Sequence, residues 1–260
     1  MRRLLLGTCV LALFAGSVQA EVKTKTIPYK HGDLELEGHL AWDDAVSGPR
    51  PAVLVVHEWW GLNDYARKRA EQLAKMGYVA FALDMYGKGK LAKHPQEAGQ
   101  FATQVRSNVE DWRKRAIAGL EVLKAQPQCD ASRIAAIGYC FGGSTCLQLA
   151  YTGADIKGVV TFHAALAPPS ADEGKQIKAK ILVCHGADDS FIPEEAITKF
   201  QHGLNQAKAD WTMIYYSGTK HSFTDPGADA HNVDGLKYNK SADQRSWQAM
   251  QDFFKEIFAK

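Results

Sequence analysis

The stretch Gly138-Tyr139-Cys140-Phe141-Gly142-Gly143 is the part of this 260-residue chain best suited to do chemistry. It follows the apolar run 133–137, which reads as a buried strand, and precedes residues 144–151, which read as a helix. A reactive side chain with glycine two places before and two places after fits the sharp strand-to-helix turn that lifts a nucleophile above a sheet, where a Cβ at either flank would collide. The nucleophile here would be a thiol. A thiol hydrolase also needs a histidine as base and an acid to orient it. The chain supplies them in the order nucleophile, acid, histidine. Residues 185–193 (His-Gly-Ala-Asp-Asp-Ser-Phe-Ile-Pro) follow one apolar run, and residues 218–223 (Gly-Thr-Lys-His-Ser-Phe) follow another. A fourth polar segment, His57-Glu58-Trp59-Trp60-Gly61-Leu62, follows residues 52–56.

These segments need a frame that brings them to one edge. Residues 52–56, 79–83, 134–137, 159–162 and 181–184 are short, nearly continuous apolar runs, and 211–216 is a sixth, more aromatic one. Strands apolar on both faces imply a mostly parallel sheet covered by helices. Residues 23–29 and the alternating Leu34, Leu36 and Leu40, joined by His31-Gly32-Asp33, predict an antiparallel hairpin at the sheet edge. Between the runs, Asn63 can cap a helix reaching Met76 and ending at Gly77. Phe101, Val105, Val109, Trp112, Ala116, Leu120 and Leu123 trace one face of a single long helix. Pro193 with Glu194 and Glu195 opens another helix, and 241–244 (Ser-Ala-Asp-Gln) suggests a capping box for the last. The expected fold is an α/β, open, doubly wound sheet with helices on both faces and its site beyond the carboxyl ends of the strands.

The motifs His57-Glu58…Gly61, Gly-Tyr-Cys-Phe-Gly-Gly, His-Gly-x-x-Asp-x-x-Ile-Pro and His-Ser-Phe together resemble the dienelactone hydrolase family of α/β-hydrolases, across essentially the whole chain after residue 20. The resemblance implies a Cys140–His221–Asp189 triad with Glu58 as a fourth catalytic group. Asp188 is the fallback acid. His221 would serve as base, Asp189 would fix its tautomer, and the backbone N–H groups of Trp59 and Phe141 would stabilise the oxyanion. A carboxylate beside a thiol raises its pKa, so Glu58 is expected to hold Cys140 as a hydrogen-bonded neutral thiol until substrate displaces it. Two arginines that grip a substrate carboxylate in dienelactone-cleaving members correspond here to Lys88 and Asp225. Lysine lacks the bidentate fork and aspartate repels a carboxylate. Trp59, Trp60, Phe141 and Phe223 are instead expected to line an apolar pocket for an uncharged group, with Trp60, Lys88 and Phe223 as substrate contacts.

Composition bounds the rest. Residues 1–20 combine Arg2 and Arg3, an apolar 4–14 stretch and Val18-Gln19-Ala20, which reads as a signal peptide cleaved before Glu21. The expectation is a periplasmic or secreted protein with one domain over 21–260. Without Arg2 and Arg3 the formal charge falls from +2 to zero, so there is no electrostatic case for nucleic acid or an anionic membrane. The partner is a small ester or lactone, the chain a monomer, and no cofactor or metal is implied. Cys129 is the expected exposed thiol, whereas Cys146 and Cys184 are core side chains, and at most one disulfide can form among these three. His57, His163 and His185 are expected as hydrogen-bonded imidazoles lining the cleft, and His31, His94, His202 and His231 as solvated. Two rival functions remain: a thiol redox protein using Cys140, and a binding protein of the same fold without catalysis.

Overall fold

The computed structural model describes residues 21–259, so the signal-peptide expectation lies outside the described residues. One eight-stranded sheet runs in the order β1-β2-β4-β3-β5-β6-β7-β8. Its strands are β1 (Val22–His31), β2 (Leu34–Asp43), β3 (Arg50–Val56), β4 (Val79–Leu83), β5 (Cys129–Tyr139), β6 (Gly158–Phe162), β7 (Lys180–Gly186) and β8 (Trp211–Tyr216). β1 and β2 form the antiparallel edge hairpin, β2 meets β4 antiparallel, and every later pairing is parallel. Ala52 to Val56 and Val79 to Leu83 are inaccessible to solvent, as expected for strands covered on both faces.

The helices are α1 (Asp64–Lys75), α2 (Pro95–Arg106), α3 (Val109–Lys124), α4 (Phe141–Tyr151), α5 (Ala171–Gly174), α6 (Glu194–Gln206) and α7 (Lys240–Ile257). α2, α3, α4 and α6 bury their apolar residues against one face of the sheet, and α1 and α7 against the other. α1 starts and stops where its sequence predicts: the Asn63 side chain accepts from the Ala66 N–H, and Ala66, Ala70, Leu73 and Ala74 form its buried stripe.

Two expectations are corrected. The single long helix is two, α2 and α3, because the Asn108 side chain accepts from the Asp111 N–H and starts a new helix. Val109, assigned to the apolar face, is 43% exposed at that junction. Apolar spacing can run through a break, since a short turn can restore the same face. At α7 the cap is Asn239, which accepts from the Ala242 N–H, so Ser241 lies within the first turn. A capping box does form at Ser170 and Glu173, ahead of α5.

Strand order determines where a ligand can enter. From β3 the chain passes to β4 on one side, while β5 flanks β3 on the other. The crossovers therefore diverge at the carboxyl ends of β3 and β5, opening a crevice. β3 ends just before His57 and Glu58, and β5 ends just before Cys140.

Candidate active site

Cys140 occupies the turn between β5 and α4 with φ 52° and ψ −114°, a conformation that L-residues adopt only under constraint. The constraint is visible at both flanking glycines. A Cβ on Gly138 would stand 2.1 Å from the Gly142 carbonyl oxygen, and one on Gly142 would stand 2.2 Å from the Val56 oxygen and 2.6 Å from the His57 oxygen. The first turn of α4 therefore lies directly on the end of β3. The Cys140 N–H donates to the Phe162 carbonyl at 2.9 Å, tying the turn to β6.

His221 arrives from the loop after β8, pinned by its own N–H to the Gly235 carbonyl and by the Lys237 N–H to its carbonyl. Its Nδ1–H donates to Asp189 Oδ2 at 2.7 Å. Asp189 Oδ1 accepts from the Phe191 N–H at 3.0 Å, so both carboxylate oxygens are held. Both side chains are buried, whereas Asp188 is exposed. Burial alone would push the imidazole pKa down. The charge of the adjacent Cys140 and hydrogen bonds to Asp189 and Cys140 outweigh it and raise the value to about 10. The environment thus favours the imidazolium form of His221.

Glu58 is 2% exposed. Burial, then the charge of Asp225, raise its pKa to about 7, while His221, Ser222 and Arg69 pull the other way. Its Oε1 accepts from the Ser222 hydroxyl at 3.0 Å, and its Oε2 has no partner among the described residues. The expected hydrogen bond from Glu58 to Cys140 is therefore not the one present: the carboxyl is engaged by Ser222. Asp225, at the place of a carboxylate-binding arginine, is buried and accepts from the Gly227 N–H. Its charge acts on Glu58.

The two amides expected to stabilise an oxyanion, Trp59 N–H and Phe141 N–H, have no acceptor among the described residues. Three side chains expected at the substrate lie elsewhere. Lys88 is an exposed surface lysine that pairs with Glu37 at 3.4 Å. Trp60 is 4% exposed and stacks on His231, so that histidine is not simply solvated. Phe223 is fully buried between Tyr216 and His163, and Phe141 is likewise inaccessible. Trp59 remains half-buried. Trp60, Phe141 and Phe223 adjoin the candidate site in sequence but pack as core rather than as open pocket walls.

Sequence reasoning assigned no role to Phe191 or Ser222. Phe191 is 47% exposed with its ring 5.2 Å from that of His221, an apolar lip at the site. Both residues sit inside motifs that were noted for their neighbours. His163, at φ 41°, shares a 2.8 Å hydrogen bond with Thr224, and Thr224 another of 2.7 Å with Tyr65. The guanidinium of Arg69 donates to the Thr224 carbonyl at 2.7 Å and pairs with Asp243, fixing the segment that follows His221 between α1 and α7.

Residues 36–258 match the model of the dienelactone hydrolase family. The chain belongs to that family. It is a hydrolase of the dienelactone hydrolase type. A Yersinia pestis homologue named as a carboxymethylenebutenolidase is 27% identical over 241 residues, 88% of this chain and 86% of its own. A solved structure of a dienelactone hydrolase-like promiscuous phosphotriesterase from metagenomic libraries superposes with a TM-score of 0.90 at 41% identity, covering 93% of this chain and all of that one. A dienelactone hydrolase-like structure from Klebsiella pneumoniae shares the fold at 22% identity, with a TM-score of 0.74, over 91% of this chain and 99% of its own.

Glu58, raised from 4.5 to about 7, is neutral below that pH and charged above it. A charged neighbour disfavours thiolate, so Glu58→Gln should alkylate with iodoacetamide faster than wild type above pH 7 and equally fast near pH 5. Superimposable rate–pH profiles for the two proteins would contradict this assignment.

Proposed function

We propose that this chain is an exported hydrolase of carboxylic esters or lactones that works through a thioacyl intermediate on Cys140. The observation that carries the reading is the convergence of three strand ends. A half-buried thiol at a strained turn adjoins His221, and His221 in turn donates to a buried Asp189.

The chemistry follows from that arrangement. The Cys140 thiolate adds to the carbonyl carbon, and the oxygen takes up negative charge facing the Trp59 and Phe141 amides. The imidazolium of His221 gives its Nε2 proton to the departing alkoxide, leaving a thioester. His221 then takes a proton from water as the water attacks the thioester, which releases the carboxylic acid and restores the thiolate. Asp189 keeps Nδ1 protonated throughout, so Nε2 always faces the reaction.

Thiol redox chemistry has less support. The four cysteines after residue 20 are all free. Cys129, expected to be exposed, is 8% exposed, with its pKa raised by burial to about 11. Cys146 and Cys184 are fully buried and also raised. None offers a resolving thiolate at neutral pH. The substrate's own character points to a neutral ester, since Lys88 and Asp225 supply no cationic grip and Phe191 offers an apolar lip.

With p-nitrophenyl acetate, Cys140→Ala and His221→Ala should each lower kcat by about 10³–10⁶-fold and Asp189→Asn by about 10²–10⁴-fold. Full activity in Cys140→Ala would end the thiol reading. Export rests on residues 1–20 and has its own test. Expressed from its own start in a Gram-negative bacterium, the protein should be recovered from the periplasm beginning at Glu21; a cytoplasmic protein still carrying Met1 to Ala20 would refute it.

A further inference from the structure

His57 lies at the end of β3, is inaccessible to solvent, and takes no part in the proton transfers just described. Both ring nitrogens are nevertheless committed. Nδ1–H donates to the Glu58 carbonyl oxygen at 2.5 Å, and Nε2 accepts from the Met85 N–H at 3.2 Å. Those two bonds require a neutral ring protonated on Nδ1, and burial favours the neutral form.

The Glu58 carbonyl and the Trp59 N–H belong to one peptide plane. No peptide bond among the described residues is cis, so the two groups point in opposite directions across that plane. Holding the oxygen therefore aims the hydrogen. The Gly61 N–H donates to the same oxygen at 3.3 Å, which limits rotation further. The imidazole also stacks on the Phe141 ring, with centroids 5.9 Å apart and planes 22° from parallel. One ring thus touches the units carrying both amides that lack acceptors.

We propose that His57 is a positioning residue of the oxyanion site, aiming the Trp59 N–H through the Glu58 carbonyl and seating Phe141 by stacking. This rests on the thioester mechanism above. It requires His57 to matter for attack on a carbonyl and to be indifferent to attack on saturated carbon, where no oxyanion forms.

Two variants separate the ring nitrogens. In His57→Asn the side-chain amide can replace Nδ1–H as donor to Glu58; in His57→Gln it reaches the Met85 side and leaves the Glu58 oxygen unheld. With p-nitrophenyl acetate, kcat in His57→Gln should fall about 10²–10³-fold, as for loss of one oxyanion donor, with KM nearly unchanged. His57→Asn should retain activity within about 10-fold of wild type. Iodoacetamide alkylation of Cys140, which attacks saturated carbon, should keep its wild-type rate in both. Equal activity in the two variants, or alkylation falling in step with kcat, overturns the proposal. Should the Gln variant fail to fold, Phe141→Leu removes the stacking half alone and should lower kcat with alkylation intact; unchanged kcat there also overturns it. A wild type inert toward the ester would instead sink the thioester mechanism itself.

Discussion

The first turn of α4 rests on the carbonyl ends of β3 so closely that no side-chain carbon fits between them. At Gly142 a Cβ would penetrate the Val56 and His57 oxygens, and at Gly138 it would penetrate the turn itself. This contact fixes the direction of α4 and lifts Cys140 into a conformation it would not otherwise hold. The divergence of crossovers between β3 and β5 opens the crevice, but the glycine contact decides which atom faces it.

Around that contact the fold buries several ionisable groups. Glu58, Asp189, Asp225, His57, His163, His221 and Arg69 are all buried. Isolated buried charges are costly unless paired and hydrogen-bonded. Most are so held: Asp189 by His221 and the Phe191 amide, Arg69 by Asp243 and the Thr224 carbonyl, Asp225 by the Gly227 amide. Glu58 and His163 are the exceptions: one Glu58 carboxyl oxygen and His163 Nδ1 have no partner among the described residues, and Glu58 also has a like charge nearby. Where the structure leaves a polar group incompletely satisfied, a ligand or a proton transfer has something to complete. The same economy explains His57, which spends both nitrogens on main chain and none on proton transfer.

The sheet, its edge hairpin and the pairing of Asp189 with His221 were legible in the sequence because they rest on local rules. Apolar runs report strands buried on both faces, two glycines report a close approach, and His-Gly-x-x-Asp reports a strand end. Legibility failed where an outcome depends on the direction of a side chain across space. Lys88 follows its motif in sequence yet turns to Glu37; Trp60 and Phe223 adjoin candidate site residues yet point into the core; Cys129 has polar sequence neighbours yet opens β5 and is covered. The break between α2 and α3 was hidden for a related reason, since apolar periodicity continued past a capping asparagine. The engagement of Glu58 by Ser222 joins residues 164 positions apart, and nothing in either local sequence announces it.

Covalent catalysis by the Cys140 sulfur is the proposed step on which the rest of the mechanism depends. Rapid quenching of the protein during turnover of p-nitrophenyl acetate, followed by peptide mass spectrometry, reads that directly. The prediction is an acetyl group on the peptide containing Cys140, accumulating in the first turnover and persisting longer when His221 is replaced. Acetyl found on another residue, or turnover with no acyl-enzyme at any time, would contradict it.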